Sequence, residues 1–414
     1  MKILPFAVKN LLRNRRRSIL AMSSVFLSIL MVVILGAFAN GFLDSLVKNY
    51  IKNETGHINI ATQVFRDKAR FMPVEDYIEN SSSLADSLKD FLASEDPKVI
   101  VAQRIRFGVL LSSEKGTKQA FGIAGDPEIE KNLLMLDTLI QKGGTYITAP
   151  GQAIIGAELA KDLGLAVGDP LKIVTQKADG GLGFKRLAIA GIFKTGVNAF
   201  DGSLFQMGLG DAQELLGMED GSQQISIMLS SRKNIPALVR LTKSKLADLK
   251  TEGLSVLPWT AIGEYPKMIQ MVEIVYLWVY IVVGFLGAFI IANVMTMVVL
   301  ERKRETGILM AMGMPKRQIL SMFLIEGTML GFIGSLAGTL AGFIFNIVAA
   351  RKGFDMTSAM AGFSWPLDNV IYPTVTPASL LTGILIGTFV SAIVAYFPSR
   401  RAAMMAPVEA IRAA

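Results

Sequence analysis

The residues able to do covalent chemistry are few. The 414 residues contain one histidine, His57, and no cysteine. Disulfides, thiol nucleophiles and zinc-thiolate sites are therefore excluded. His57 heads the strand-like stretch "HINIAT" (57–62). No Ser-His-Asp set, metal cluster or carboxylate pair can be assembled around it, so a structural place fits it better than a catalytic one. "KADGGLGF" (177–184) is glycine-rich but lies between strand-like segments, and it reads as a hairpin loop. No GxxxxGK[ST] loop occurs anywhere in the chain, so it cannot bind nucleotide by that means.

What remains is electrostatic chemistry in "LERKRETGILMAMGMPKRQIL" (300–320). Here Glu301, Arg302, Lys303, Arg304 and Glu305 follow a long apolar run, and the sequence turns apolar again within a few residues. A positively charged flank on the inner side of a membrane span accounts for the lysine and arginines. It does not account for Glu301 and Glu305, or for a methionine-rich apolar face beside them. A partly apolar helix bordered by acid and base is suited to docking in a groove on another protein.

The elements that position this segment are membrane spans. Half of the residues, 51%, are apolar, and four uncharged stretches are long enough to cross a bilayer, which needs about 20 apolar residues. They are 18–42, 274–300, 327–350 and 369–399. The first follows Arg13, Arg15, Arg16 and Arg17, but it exceeds the roughly 7–15 residues of a signal-peptide core, so it is expected to be a retained anchor. Residues 1–17 carry six basic and no acidic side chains, 301–317 five and two, and 400–414 three and one. The long segment 43–273 carries 26 basic and 28 acidic. Basic residues in short loops stay cytoplasmic, so both termini and the charged run are expected inside and the long segment outside. The pI near 9.4 thus reflects membrane orientation and anionic lipid, with no support for nucleic-acid binding.

The expected fold is a membrane α-helical protein of four transmembrane helices with a large α+β extracytoplasmic domain between helices 1 and 2. Residues 1–17 suit an elbow helix on the cytoplasmic surface, or orientation charges alone, and 18–42 the first span. The outer domain takes 43–271. Within it, 57–62 reads as a strand, 73–95 as a helix and 99–113 as one or two strands, and 224–231, 234–250 and 254–259 repeat the order strand, helix, strand. Segments 43–113 and 222–262 would then form one split βαβ subdomain. Residues 114–221 would be an inserted, mainly β subdomain, with short helices at 157–164 and 211–217, Asp211 capping the latter. Residues 272–300 form the end of a stalk and the second span, 301–317 the charged segment, 318–350 the third span, 351–376 an outer loop, 377–398 the fourth span and 399–414 a tail. "EYPKMIQMVE" (264–273) would extend the second span as a rod.

The spans also predict how they pack. Gly327, Gly331, Gly334, Gly338 and Gly342 recur at steps of three and four on one face of the third span. Gly383, Gly387, Ser391 and Ala395 recur at steps of four in the fourth. Small residues at this spacing let helix backbones approach closely, within the chain or with a partner. Glu326, at the inner end of the third span, has two readings: snorkelling or pairing with a nearby arginine, or a proton relay.

The segment "LERKRETGILMAMGMPKRQIL" resembles the stretch after the second span in ABC transporter permeases of the MacB, LolC, LolE and FtsX type. "GHINI", "GIAGDPE", "AIIGAELAKDLGLAVGD", "AIAGIFKTG" and the ending "PSRRAAMMAPVEAIR" are similar to the same family, in the same order. In layout the chain is nearest to the lipoprotein-releasing LolC/LolE type. The resemblance implies a non-enzymatic permease of the cell inner membrane working by mechanotransmission: a cytoplasmic ATPase dimer binds ATP, the coupling segment moves, and the outer domains respond. It implies Glu301, Arg302, Arg304, Glu305, Gly307, Ala311 and Gly313 as ATPase-coupling residues, and no cofactor in this chain. Thr306 stands where an aliphatic residue is frequent in the family, and Met310 where a basic one is common. The partners implied are the ATPase dimer, a second permease copy or paralogue, membrane lipid, lipoproteins and a periplasmic carrier. Efflux of the MacB type and control of cell-wall hydrolases of the FtsX type are the alternatives.

Overall fold

The computed structural model describes residues 15–196, 198–249, 251, 253–356 and 370–406. The expected elbow helix and the end of the tail lie outside them. The chain divides into two compact units, one holding the long apolar helices and the other built on the described residues from 45 to 269.

Helix α1 runs from Arg15 to Tyr50 and ends in a π-helical turn, Ile51–Thr55. It does not stop at Phe42 as expected. No glycine or proline breaks "FLDSLVKNY", and Leu46, Val47, Tyr50 and Ile51 are all buried, so the apolar stripe carries the helix on.

In the outer unit, β1 (Ile58–Thr62) is followed by α2 (Gln63–Lys68), whose first turn is capped by the Thr62 hydroxyl accepting from Phe65 N–H. Helix α3 (Ser81–Ala93) starts eight residues later than expected. Asn80 adopts a left-handed conformation, Ile78 bridges Ser222 and the Pro73 carbonyl accepts from the Gln223 amide, so the residues after Pro73 run extended along 222–223. Then come β2 (Ile100–Ser113), β3 (Gly116–Gly125), α4 (Pro127–Leu134), β4 (Gln152–Gly156) and α5 (Ala157–Leu163). They continue with β5 (Pro170–Gln176), β6 (Leu182–Phe193), β7 (Leu204–Gly208) and α6 (Leu209–Leu216). The unit closes with β8 (Gln224–Met228), α7 (Ile235–Asp248) and β9 (Leu254–Pro258).

The first half of β2 joins an antiparallel sheet in the order β2-β8-β1-β9. Helices α3 and α7 cover it through Leu84, Leu88, Leu92, Leu238 and Leu246, packed on Ile58, Ile60, Ile225 and Ile227. This is the split βαβ arrangement. The second half of β2 pairs with β3 on one side and β5 on the other, and β3-β7-β4-β6-β5 completes a closed ring of six strands. The change from one sheet to the other therefore falls inside β2, after Arg104, and not after residue 113 as expected. Phe107, Val109 and Leu111 alternate into the ring with Ile155, Ile173, Leu187, Ile189 and Phe205, giving it a core of its own. Inside, Phe107 and Phe205 meet edge to face at 6.1 Å. A Cβ on Gly122 would lie 2.8 Å from the Phe107 ring and 2.9 Å from that of Phe205, so glycine is what admits the pair. Asp211 is not the cap expected of α6, which begins at Leu209. Its carboxylate accepts from Gly151 N–H at 2.7 Å and pairs with Lys185 at 2.9 Å.

At the junction of the two sheets Arg104 of β2 and Glu130 of α4 form a fully buried, two-pronged ion pair, Nε to Oε1 at 2.6 Å and Nη2 to Oε2 at 2.8 Å. Asp126 holds α4 in place by accepting from Glu128 and Ile129 N–H ahead of Pro127.

The remaining helices are α8 (Tyr265–Glu301), α9 (Lys303–Ala311), α10 (Lys316–Lys352) and α11 (Pro377–Met404). With α1, helices α8, α10 and α11 are long and apolar enough to cross a membrane. Helix α11 continues beyond 398, with Pro398 inside it, so the tail expected from 399 starts as helix.

Candidate coupling site

Arg302 is the single residue between α8 and α9. Its N–H donates to Val298 O at 3.2 Å, and its carbonyl accepts from Thr306 N–H at 2.9 Å and from the Thr306 hydroxyl at 2.8 Å. Its side chain is 6% exposed, with Nη1 3.0 Å from Glu326 of α10 and Nε 3.1 Å from Glu305. The guanidinium lies 5.6 Å from the centre of the buried Phe323 ring. Of the two readings of Glu326, the structure shows the pairing with arginine.

Helix α9 has an inner and an outer face. Thr306 and Gly307 are buried, and Leu309 and Met310 pack on Val298, Val299, Ile319, Met322, Phe323, Ala402 and Ala403 from α8, α10 and α11. Glu301, Arg304, Glu305, Ile308, Ala311 and Met312 are exposed. Arg304, Ile308, Ala311 and Met312 follow helical spacing and share one face. Gly313 turns the chain with φ +92° and open space around it, and Pro315 stands in extended conformation just ahead of α10. Two of the seven residues expected at a docking surface, Arg302 and Gly307, therefore face inward. Ile308 and Met312, not singled out from the sequence, are the large apolar side chains on the outer face, 45% and 72% exposed.

The glycines of α10 do not share one partner. Gly334, Gly338 and Gly342 lie against Met22 to Val33 of α1, whereas Gly327 and Gly331 lie against Ala395 and Ser391 of α11. On α11, Gly387 and Gly383 in turn face Ser335 and Thr339. The result is a reciprocal antiparallel ladder of 327 with 395, 331 with 391, 335 with 387 and 339 with 383. Ser335 and Thr339 were missed, although they extend the four-residue step from Gly327 and Gly331. Above the ladder the buried Asn346 amide donates to Val33 O at 3.0 Å.

On the outside of the six-stranded ring, Leu110, Phe121, Leu182 and Phe184 are 45–69% exposed. Gly108, Leu110, Phe121, Val174 and Leu182 line a shallow apolar groove of about 330 Å³. The next cross-strand row places Lys172 directly opposite Arg186, both exposed. His57 lies far from such surfaces in character. Its Nδ1 accepts from Leu229 N–H at 3.0 Å, and burial, reinforced by Arg232, lowers its pKa to about 4.

These features define a membrane protein of four candidate spans, with a large domain between the first and second and a short helix between the second and third. The MacB-like periplasmic core domain matches residues 18–244 and the FtsX-like permease C-terminal domain residues 278–407. The chain belongs to this family of ABC transporter permeases. It is 22% identical over 416 residues to the lipoprotein-releasing system transmembrane protein LolC of Neisseria meningitidis serogroup B, across 95% of this chain and 94% of LolC. It is 24% identical over 430 residues to the uncharacterized ABC transporter permease YknZ of Bacillus subtilis, across 98% and 97%. Over 132 residues it is 35% identical to the macrolide export ATP-binding/permease protein MacB of Bradyrhizobium diazoefficiens, 32% of this chain but 17% of MacB.

Proposed function

We propose that this chain is the permease subunit of an ABC complex that releases lipoproteins from the inner membrane toward the outer membrane by mechanotransmission. The observation that carries this reading is the end-to-end likeness to LolC, 95% of one chain against 94% of the other. With no nucleotide-binding loop of its own, the chain would take its force from a separate cytoplasmic ATPase dimer that binds ATP. The outer face of α9, with Arg304, Glu305, Ile308, Ala311, Met312 and Gly313, is where that ATPase would press. A second permease copy or paralogue would cover part of α8, whose Trp278, Phe285 and Phe289 are exposed. Both termini and α9 would be cytoplasmic and the outer unit periplasmic.

The apolar groove on the ring, bordered by Lys172 and Arg186, is the face on which an acidic periplasmic carrier would dock. Two like charges directly across a strand pair are unfavourable without an opposite charge above them.

The test is the distribution of lipoproteins between inner and outer membrane fractions after depletion of the protein in its native host. Accumulation in the inner membrane is expected. An unchanged distribution would move the reading to MacB-type efflux, the alternative favoured by the 35% identity to MacB, and sensitivity to exported compounds would then rise instead.

A further inference from the structure

We propose that Arg302 and Glu326 form the joint that fastens the coupling helix α9 to the third span, so that a push on α9 displaces α10 as one body with it. The inference rests on the reading of α9 as the ATPase-facing element, but not on what is transported. Arg302 belongs to three elements at once. Its N–H closes α8, its carbonyl opens α9, and its side chain reaches Glu326 in α10.

Apolar packing beneath α9 cannot supply this connection alone. The contacts of Leu309 and Met310 with Val299, Met322 and Phe323 are non-directional, and methionine side chains re-pack readily. Left to those contacts, α9 could slide or roll on the bundle when pressed. The guanidinium fork fixes direction as well as proximity. One nitrogen holds Glu326 and another holds Glu305 on the first turn of α9, while the plane rests on Phe323. Both Arg302 and Glu326 are shielded, each side chain 6% exposed, so water and salt weaken the pair little. A lysine would keep the charge and lose the fork.

From Glu326 the connection continues along α10. Gly327, one residue on, begins the ladder with α11, and Gly334, Gly338 and Gly342 hold α1. The joint therefore stands at the end of the most tightly packed helix in the membrane unit. Arg302 and Glu326 act as positioning residues: neither presents its charge to the outer face of α9.

The absence of cysteine makes the test direct. Spin labels at Met312→Cys on the outer face of α9 and Ile333→Cys on the exposed side of α10 report their separation by double electron-electron resonance in the full chain in lipid nanodiscs. The wild-type background should give one narrow distance. In Arg302→Lys and Glu326→Gln the distribution should broaden about two-fold, because the fork or its acceptor is gone. Should a single variant fail to insert, the double variant Arg302→Met with Glu326→Met removes the unpaired buried charge and should also show the broad distribution. A wild-type width in the variants that insert would overturn the joint and assign the connection to apolar packing. Lipoprotein fractionation with the same variants separates the two ideas: broadened distances with no lipoprotein phenotype even on depletion would leave the joint standing and remove the lipoprotein reading.

Discussion

Tyr50 and Tyr265 lie stacked, ring centres 4.6 Å apart and planes 17° from parallel, and the Tyr50 hydroxyl donates to Ile262 O at 2.6 Å. The end of α1 and the start of α8 are thereby clasped together within the outer unit. Arg106 of β2 pairs with Glu54 beside them. Tyr50→Phe should cost about 1 kcal/mol by removing one hydrogen bond. Tyr50→Ala should cost about 3–5 kcal/mol by emptying the stack as well. Denaturant titration of the purified full chain would measure both, and equal losses would mean that the ring contributes nothing.

The Arg104–Glu130 pair gives a test with opposite signs. Arg104→Met strands a buried carboxylate and should destabilise by about 3–5 kcal/mol. Adding Glu130→Met should recover most of that loss. Thermal unfolding of the two variants against the parent decides it.

Gly331→Leu should break the α10–α11 ladder, because even a Cβ at that position would overlap Ser391. Overpacking of this kind costs roughly 1–3 kcal/mol. The expected result is faster unfolding in mixed micelles of increasing SDS. Phe332→Leu, on the exposed side of the same helix, should leave the rate unchanged.

His57 makes the outer domain acid-sensitive in a defined window. Its folded pKa of about 4 lies below the ordinary imidazole value of 6.5, so an unfolded chain takes up the proton first. Its contribution is fully present above pH 6.5 and is lost as pH falls to about 4. Asp96 titrates below that window: despite burial, which raises it, bonds from Ser230 and Lys98 hold its pKa below 3.8. His57→Asn keeps an acceptor for Leu229 N–H without a proton to gain. It should flatten the fall in unfolding temperature between pH 6.5 and 4, followed through the fluorescence of Trp259, whose backbone N–H donates to the His57 carbonyl.

Ile308→Glu and Met312→Glu should lower ATPase co-purification about ten-fold or more, since each puts a charge in the apolar centre of the proposed contact. Membrane insertion should be unaffected. Undiminished co-purification would place the ATPase contact elsewhere.

The spans and the α+β character of the domain between the first two were legible because each rests on local signals: uncharged runs of about 20 residues and period-two strands. Asp126 ahead of "PE" is such a signal that was passed over, and with it helix α4. Ring closure was not legible, because it depends on β2 pairing with β5 some 60 residues away, and no local pattern encodes which edges meet. At the coupling segment, sequence spacing placed charges but not burial. Arg302 looks like its neighbours Lys303 and Arg304 until α10 brings Glu326 to it. The glycine repeat announced close helix contact and left the partner open, since one face of a helix can be shared between two neighbours.

Strand β2 spans 14 residues, about 46 Å at the usual rise per residue, and serves both sheets. The insertion is therefore not a cassette. Excising 114–221 would leave Phe107, Val109 and Leu111 on a bare, apolar, hydrogen-bond-hungry ribbon, a template for aggregation. In a lineage that exchanges such insertions, the joint must be cut in the middle of a strand near Arg104, so the ring can be swapped only together with half of the strand that carries it.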